Sequence, residues 1–284
     1  MNELNGREIL TREHSQKGII PFIGVYDVFS ASIAAKHYNS IFLSGFGFAA
    51  SFYGLPDIGF ISWTDMVSYV ERIRTVLPNH FLLVDMDDGY GDADIAGHVA
   101  MRLESAGASG VVLEDQRRPR RCGHFDGKQL LTIDEYLDKL ARVLDTRREM
   151  FVVARTDAVD SEDILMRAKA FEAAGADAFL VDGIGDLKLI KELKRFITVP
   201  IVFNQIAGGK SPAFSLEVLE DAGVSLVIYS TPCLFPVQDA VEKSLVALKE
   251  NGGLIQETDG VRTDLRTCTL HLKENQSGRD KIER

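Results

Sequence analysis

A short apolar run in this chain, Phe81 to Val84, ends abruptly in Asp85, Asp87 and Asp88, followed by the turn Gly89-Tyr90-Gly91. Buried strands of α/β proteins are continuous apolar runs, and the residues just past their ends face the ligand. Carboxylates this close repel one another unless a cation holds them together. Oxygen-only ligands suit a hard ion, Mg²⁺ or Mn²⁺. A solvated acidic turn is the plain alternative.

A second chemically loaded stretch runs from Glu114 to Leu130, EDQRRPRRCGHFDGKQL. A long polar loop inside a compact α/β domain is usually a functional lid. Cys122 lies in it among Arg120, Arg121 and His124, cationic neighbours of the kind that lower a thiol's pKa. His124, so near Cys122, suits an anion-binding or thiol-tuning role. Cys233 and Cys268 read as ordinary small apolar residues, and the remaining histidines show no metal-ligand spacing.

The elements that must position these residues alternate strand and helix along the chain. Strand-like runs are Ile19–Val25, Ser40–Leu43, Phe81–Val84, Gly110–Leu113, Phe151–Ala154, Ala178–Val181, Ile201–Phe203 and Leu226–Ile228. Amphipathic stretches fall between and after them: Ala31–Lys36, Thr64–Val76, Asp92–Ala106, Ile133–Thr146, Glu162–Ala174, Leu187–Phe196, Ser215–Ala222 and Val237–Asn251. Repeated β-α alternation implies parallel strands joined by right-handed crossovers. Eight such units predict an α/β fold of the (β/α)₈ barrel type. A doubly wound open sheet is the alternative, but no GxGxxG follows the first strand. Glycines at the helix ends, as in Ala106-Gly107-Ala108 and Ala222-Gly223-Val224, fit C-caps turning into the next strand. Residues 1–251 thus form the barrel domain. Residues 252–284 are a polar tail, either a peripheral helix or partly disordered.

In a barrel, strand ends converge on one face. Here they carry Ser44, Asp85, Glu114, Arg155, Asp182, Asn204 and Tyr229. Active sites of such barrels lie on that face. Asp85 and Glu114 can share a cation there, while Arg155 is suited to clamp a carboxylate bidentately. With Ser44 and Gly45 as donors, the pocket suits a small, multiply charged acid.

Composition bounds the rest. The 284 residues are 45% hydrophobic and 26% charged, as in an ordinary globular protein. The net charge of −10 makes nucleic acid a poor partner. No apolar run reaches the roughly eighteen residues of a membrane helix, and no signal-peptide core opens the chain. Three cysteines are too few for a disulfide framework, which points to a reducing cytoplasm.

Five segments together carry a family resemblance: SGFG from Ser44, GLPD from Gly54, DMDDGYG from Asp85, EDQRRPRRCGH from Glu114 and ART from Ala154. They resemble the isocitrate lyase/phosphoenolpyruvate mutase superfamily. NQIAGGKSP from Asn204 extends the likeness, which covers Ile19 to Asn251, toward the branch holding methylisocitrate lyase, dimethylmalate lyase and carboxyphosphonoenolpyruvate mutase. The resemblance implies a (β/α)₈ barrel, Mg²⁺, a 2-oxo or 2-hydroxy acid substrate, and tetramers that exchange a C-terminal helix between subunits. Residue by residue, it implies that Asp85 ligates Mg²⁺, with Asp87 and Glu114 holding it largely through water. Ser44 and Gly45 would bind the 2-oxo-acid end, and Arg155 the substrate carboxylate. Asp57 would sit on a gating loop, and Gly123, His124, Asn204 and Ser211 would complete the substrate site. Cys122 would be the catalytic acid/base of a carbon–carbon lyase, with Tyr90 or a metal-bound water as open choices for the base. Two positions depart from the lyases, which usually carry glutamate where Asp182 and Ala207 stand. That departure favours a substituted malate or oxaloacetate over isocitrate or 2-methylisocitrate.

The resemblance leaves rival chemistries on the same site: a phosphorus–carbon mutase, and a hydrolase converting oxaloacetate to oxalate and acetate. A binding protein on a retained barrel would not need the full Asp85, Asp87 and Glu114 set. A Schiff-base aldolase is disfavoured because no barrel strand ends in lysine.

Overall fold

The computed structural model describes Leu10 and residues 18–254 and 263–282. Eight parallel strands close into a barrel: β1 (Ile20–Val25), β2 (Ser40–Leu43), β3 (Phe81–Asp85), β4 (Gly110–Glu114), β5 (Phe151–Thr156), β6 (Ala178–Val181), β7 (Ile201–Gln205) and β8 (Val224–Tyr229). Each strand pairs with its sequence neighbours, and β1 closes on β8 through Ile20 opposite Leu226. The longer helices are α1 (Val28–Ala34), α2 (Trp63–Arg74), α3 (Ala93–Ala106), α4 (Ile133–Thr146), α5 (Ser161–Ala173), α6 (Leu187–Phe196), α7 (Leu216–Ala222), α8 (Leu234–Glu250) and α9 (Leu265–Ile282), with two short helical segments, Gly45–Phe48 and Ala49–Tyr53, after β2. The (β/α)₈ expectation is therefore met, and the strands run further into the polar residues than expected.

Local signals set the helix ends. Asp27 and Ser30 form a reciprocal capping box that starts α1 three residues before the expected Ala31. Thr132 and Glu135 do the same for α4. At the C-terminal ends of α3 and α7, Gly107 and Gly223 adopt φ of 105° and 100°, as the Ala-Gly pattern predicts.

Alternation along the strands sorts side chains into two cores. Leu82, Val84, Val111, Leu113, Val152 and Ala154 point outward and pack under the helices. Phe81, Leu83, Val112, Phe151, Val153, Leu180 and Val202 point inward and fill the lumen, where Leu10 joins them. Period-two alternation then dictates the next inward positions: Asp85, Glu114, Arg155, Asp182 and Asn204. Five polar residues from five strands thus share one layer at the C-terminal mouth.

Within the tail, Leu265–Ile282 forms α9. His271 of α9 meets Ser32 of α1 at 2.8 Å and packs edge-on against Phe29, while Lys36 pairs with Glu274 at 2.9 Å. By contrast, α8 buries none of its side chains. No described helix is long and apolar enough to cross a membrane.

Candidate active site

The acidic cluster is built by β3, β4 and the turn after β3. Asp85 closes β3 and accepts the Gly45 amide at 3.3 Å. Asp87 follows in the left-handed region, with φ of 49°. Its turn is strapped by Arg118, which donates twice to the Asp88 carboxylate at 2.7 and 2.8 Å, and by buried Lys139, which donates to the Asp88 carbonyl at 2.6 Å. Glu114 closes β4 directly opposite Arg155 of β5 in the strand register, and their side chains pair at 3.2 Å.

Arg120 is the hub of this cluster. Its guanidinium, only 2% exposed, pairs with Asp57, with Asp87 at 3.2 Å and with Glu114 at 2.8 Å. It thereby ties the loop after β2 to the cysteine-bearing loop after β4. The sequence reading placed Arg120 beside the thiol; the structure turns it toward carboxylates instead.

Six buried carboxylates (Asp57, Asp85, Asp87, Glu114, Asp157 and Asp182) face two guanidiniums, Arg120 and Arg155, and the Lys128 ammonium. Burial raises the pKa of Asp85, and raises that of Asp87 more strongly, with neighbouring acids adding to the effect and the arginines opposing it. Glu114 is likewise pushed up by burial, to about 7, against the pull of Arg120 and Arg155. Both Asp87 oxygens and Glu114 Oε2 are buried and accept no hydrogen bond, although guanidiniums lie within ion-pair distance of Asp87 Oδ1 and Glu114 Oε2. Unsatisfied acceptors beside an excess of acid fit a divalent cation. Among the described residues no three acidic, histidine or cysteine side chains form a closed cage.

The opposite wall is a continuous network. Arg155 donates to Asp157 through Nε and Nη2, each at 3.1 Å, and its Nη2 meets Asp182 at 2.8 Å. Asp182 also accepts from Asn204 Nδ2 at 2.8 Å and lies 3.4 Å from His124 Nε2. Ser230 donates to Asn204 Oδ1 at 2.7 Å. The Lys210 amide donates to His124 Nδ1 at 2.9 Å, which places the ring proton on Nε2, facing Asp182. Burial alone would raise the pKa of Asp182, but Arg155 and then His124 and Asn204 hold the carboxyl well below its ordinary value. His124 thus joins the loops after β4, β6 and β7.

Cys122 sits in the closed loop at 9% exposure. Its thiol is pushed up to about 11, chiefly by burial, with Asp182 and Asp57 adding to the rise and the His124 amide and Arg155 opposing it. The expectation of a thiol acidified by arginines is corrected: Arg120 is spent on carboxylates, and Arg121 extends to the exposed surface. Two further expectations shift. The Gly45 amide points at Asp85, and Ser44 Oγ caps the short helix Gly45–Phe48 by accepting the Gly47 amide at 3.1 Å. The Tyr90 hydroxyl is buried without a partner, and its pKa is raised well above normal by burial and by Asp87 and Asp85, which disfavours it as a base. Ser211 Oγ is buried and unpaired.

Sequence reasoning did not single out Asp157, Gln116, Lys128 and Ser230. The available signal was period two: Asp157 lies two residues beyond Arg155, on the same side of the chain.

An eight-stranded parallel barrel with its buried acids and arginines gathered at the C-terminal mouth has the architecture of a barrel enzyme. Residues 10–249 match the family described as phosphoenolpyruvate phosphomutase, and the chain belongs to that family. A 2-methylisocitrate lyase of Shewanella oneidensis is 32% identical over 86% of this chain and 85% of its own length. The chloroplastic carboxyvinyl-carboxyphosphonate phosphorylmutase of Arabidopsis thaliana is 33% identical over 86% of this chain and 76% of its own. The solved structure of oxaloacetate acetylhydrolase with 3,3-difluorooxalacetate superposes with a TM-score of 0.89 at 28% identity, covering 98% of this chain and 97% of that one.

Proposed function

We propose that this chain is a Mg²⁺-dependent carbon–carbon lyase that cleaves a small 2-hydroxy di- or tricarboxylate into a 2-oxo acid, such as glyoxylate or pyruvate, and a second carboxylate. The observation that carries the reading is Cys122: a buried thiol next to Gly123, whose backbone is seated against Asp182, Arg155 and Asp157, suits proton delivery to a carbanion. The likeness to 2-methylisocitrate lyases supports it.

Asp85 would hold the ion directly, with Asp87 and Glu114 reaching it through water. Mn²⁺ could substitute. When bound, the ion would supply electrostatic stabilisation to the 2-oxo acid fragment, an effect worth several kcal/mol. Ser44 Oγ accepts the Gly47 amide and keeps its own proton to donate to that fragment. Arg155 makes its contacts through Nε and Nη2, which leaves Nη1 to meet the departing carboxylate and offset its growing charge. Asp57, Gly123, His124, Asn204 and Ser211 would enclose the acid, and the Cys122 thiol would protonate the carbon that leaves.

A second reading, hydrolysis of oxaloacetate, is favoured by the likeness to oxaloacetate acetylhydrolase. A panel of 2-hydroxy and 2-oxo acids, assayed with and without Mg²⁺ for glyoxylate, pyruvate and oxalate, separates the two. Phosphorus NMR on a phosphonate substrate tests mutase chemistry. Cys122→Ser is expected to lower lyase turnover by about 10²–10⁴-fold while leaving Mg²⁺ binding by calorimetry unchanged; full activity would remove the assigned acid.

The assembly reading is a homotetramer with an exchanged helix. The exposed Val237, Val241 and Leu245 of α8 support it, as does an apolar cavity of about 370 Å³ on the barrel wall lined by Ile33, Leu216 and Pro232. Light scattering on the full chain tests it.

A further inference from the structure

We propose that Asp157 is a positioning residue shared by the cysteine loop and the Arg155 clamp, so that closing the loop and orienting the arginine are one event. The inference rests on the reading of Cys122 and Arg155 given above, and adds the device that couples them.

The geometry is specific. Asp157 is 2% exposed, and its two oxygens serve both partners. Oδ2 accepts from Arg155 Nε at 3.1 Å and from Gln116 Nε2 at 3.1 Å. Oδ1 accepts from Arg155 Nη2 at 3.1 Å and from Lys128 Nζ at 3.0 Å. Gln116 and Lys128 in turn grip the two residues that flank Cys122. Gln116 donates to the Arg121 carbonyl at 2.7 Å and accepts the Arg121 amide at 2.8 Å, a pairing like that between strands. Lys128 donates to the Gly123 carbonyl as well as to Asp157. The chain on either side of the thiol is therefore tied to one buried carboxylate, and that carboxylate fixes the guanidinium plane of Arg155.

Steric fit makes the docking exclusive. A Cβ on Gly123 would lie 2.0 Å from Asp182 Oδ2, 2.5 Å from Arg155 Nη2 and 2.6 Å from Asp157 Oδ1. The loop backbone thus seats on the arginine–carboxylate cluster, and any side chain at this position holds it off. The far side of Asp157 is anchored too. Its amide donates at 3.0 Å to Asp115, whose other oxygen accepts from Thr156 at 2.6 Å and Arg167 at 2.8 Å.

Cys122 accessibility reads the device without any substrate. The probe is iodoacetamide, with the label at Cys122, Cys233 and Cys268 counted separately by peptide mass spectrometry. Lys128→Met and Gln116→Leu are each expected to raise the Cys122 rate tenfold or more at fixed pH, with Cys233 and Cys268 unchanged and Lys128→Arg restoring the native rate in part. In an Asp157→Asn background the Lys128→Met change should add less than twofold, because the shared anchor is already weakened. In whichever acid assay shows turnover, Lys128→Met should lower kcat with little change in KM, and Asp157→Asn should change both. If Asp157→Asn does not fold, the Lys128 and Gln116 variants carry the test. Native labelling rates in both would overturn the proposal whatever the reaction proves to be. Faster labelling in a protein that cleaves none of the acids would instead uphold the latch and overturn the lyase reading.

Discussion

In the lower lumen of the barrel the inward positions of β3, β4 and β5 are Phe81, Leu83, Val112, Phe151 and Val153, whereas two residues further along they are Asp85, Glu114 and Arg155. Both layers are equally buried, and both follow from the same alternation. The lower one gains free energy from every apolar surface removed from water. The upper one costs free energy to desolvate, which is why the Glu114 carboxyl is pushed up to about 7, and it is held in place by pairing with the arginines that oppose that rise. Stability resides below the mouth and chemistry within it, separated by a single pleat.

Substitutions in either layer test this division. Arg155→Ala leaves Glu114, Asp157 and Asp182 without their shared guanidinium, so about 3–5 kcal/mol of stability should go along with about 10²–10³ of turnover. Thermal melting and steady-state assay check it; loss of turnover alone would show that the mouth tolerates unpaired charge. Leu83→Ala in the layer below should cost about 2–5 kcal/mol and leave KM and kcat of the folded fraction intact. A shifted KM there would mean that the two layers are mechanically linked. Ile228→Val, also in the lumen, sets the lower end: about 0.5–1.5 kcal/mol by denaturant titration, with no kinetic change.

The barrel and its polar mouth were legible in the sequence because strand alternation is a local property. Ser44, Asp85, Glu114, Arg155, Asp182 and Asn204 could be placed from position alone. What each one pairs with was not legible. Arg120 bonds to Asp57 after β2, Asp87 in the turn after β3 and Glu114 at the end of β4, and nothing at Arg120 itself indicates which of the many acids it will meet. The thiol shows the consequence. A cluster of basic letters around Cys122 suggested an acidic thiol, but those cations are satisfied elsewhere and burial dominates. Alkylation of Cys122 should therefore rise about tenfold per pH unit to near pH 10, since the thiolate fraction grows until pH approaches a pKa of about 11. A plateau near pH 8.5 would restore the earlier expectation.

Leu10 belongs with the side chains that plug the lumen, although β1 begins only at Ile20. Shortening the chain past that leucine would take a whole side chain out of the cluster that also holds Phe22 and Phe81, and the damage would register as a lower melting point with normal catalysis. Expression tags and cleavage sites are therefore better sited upstream of it than grafted directly onto the first strand.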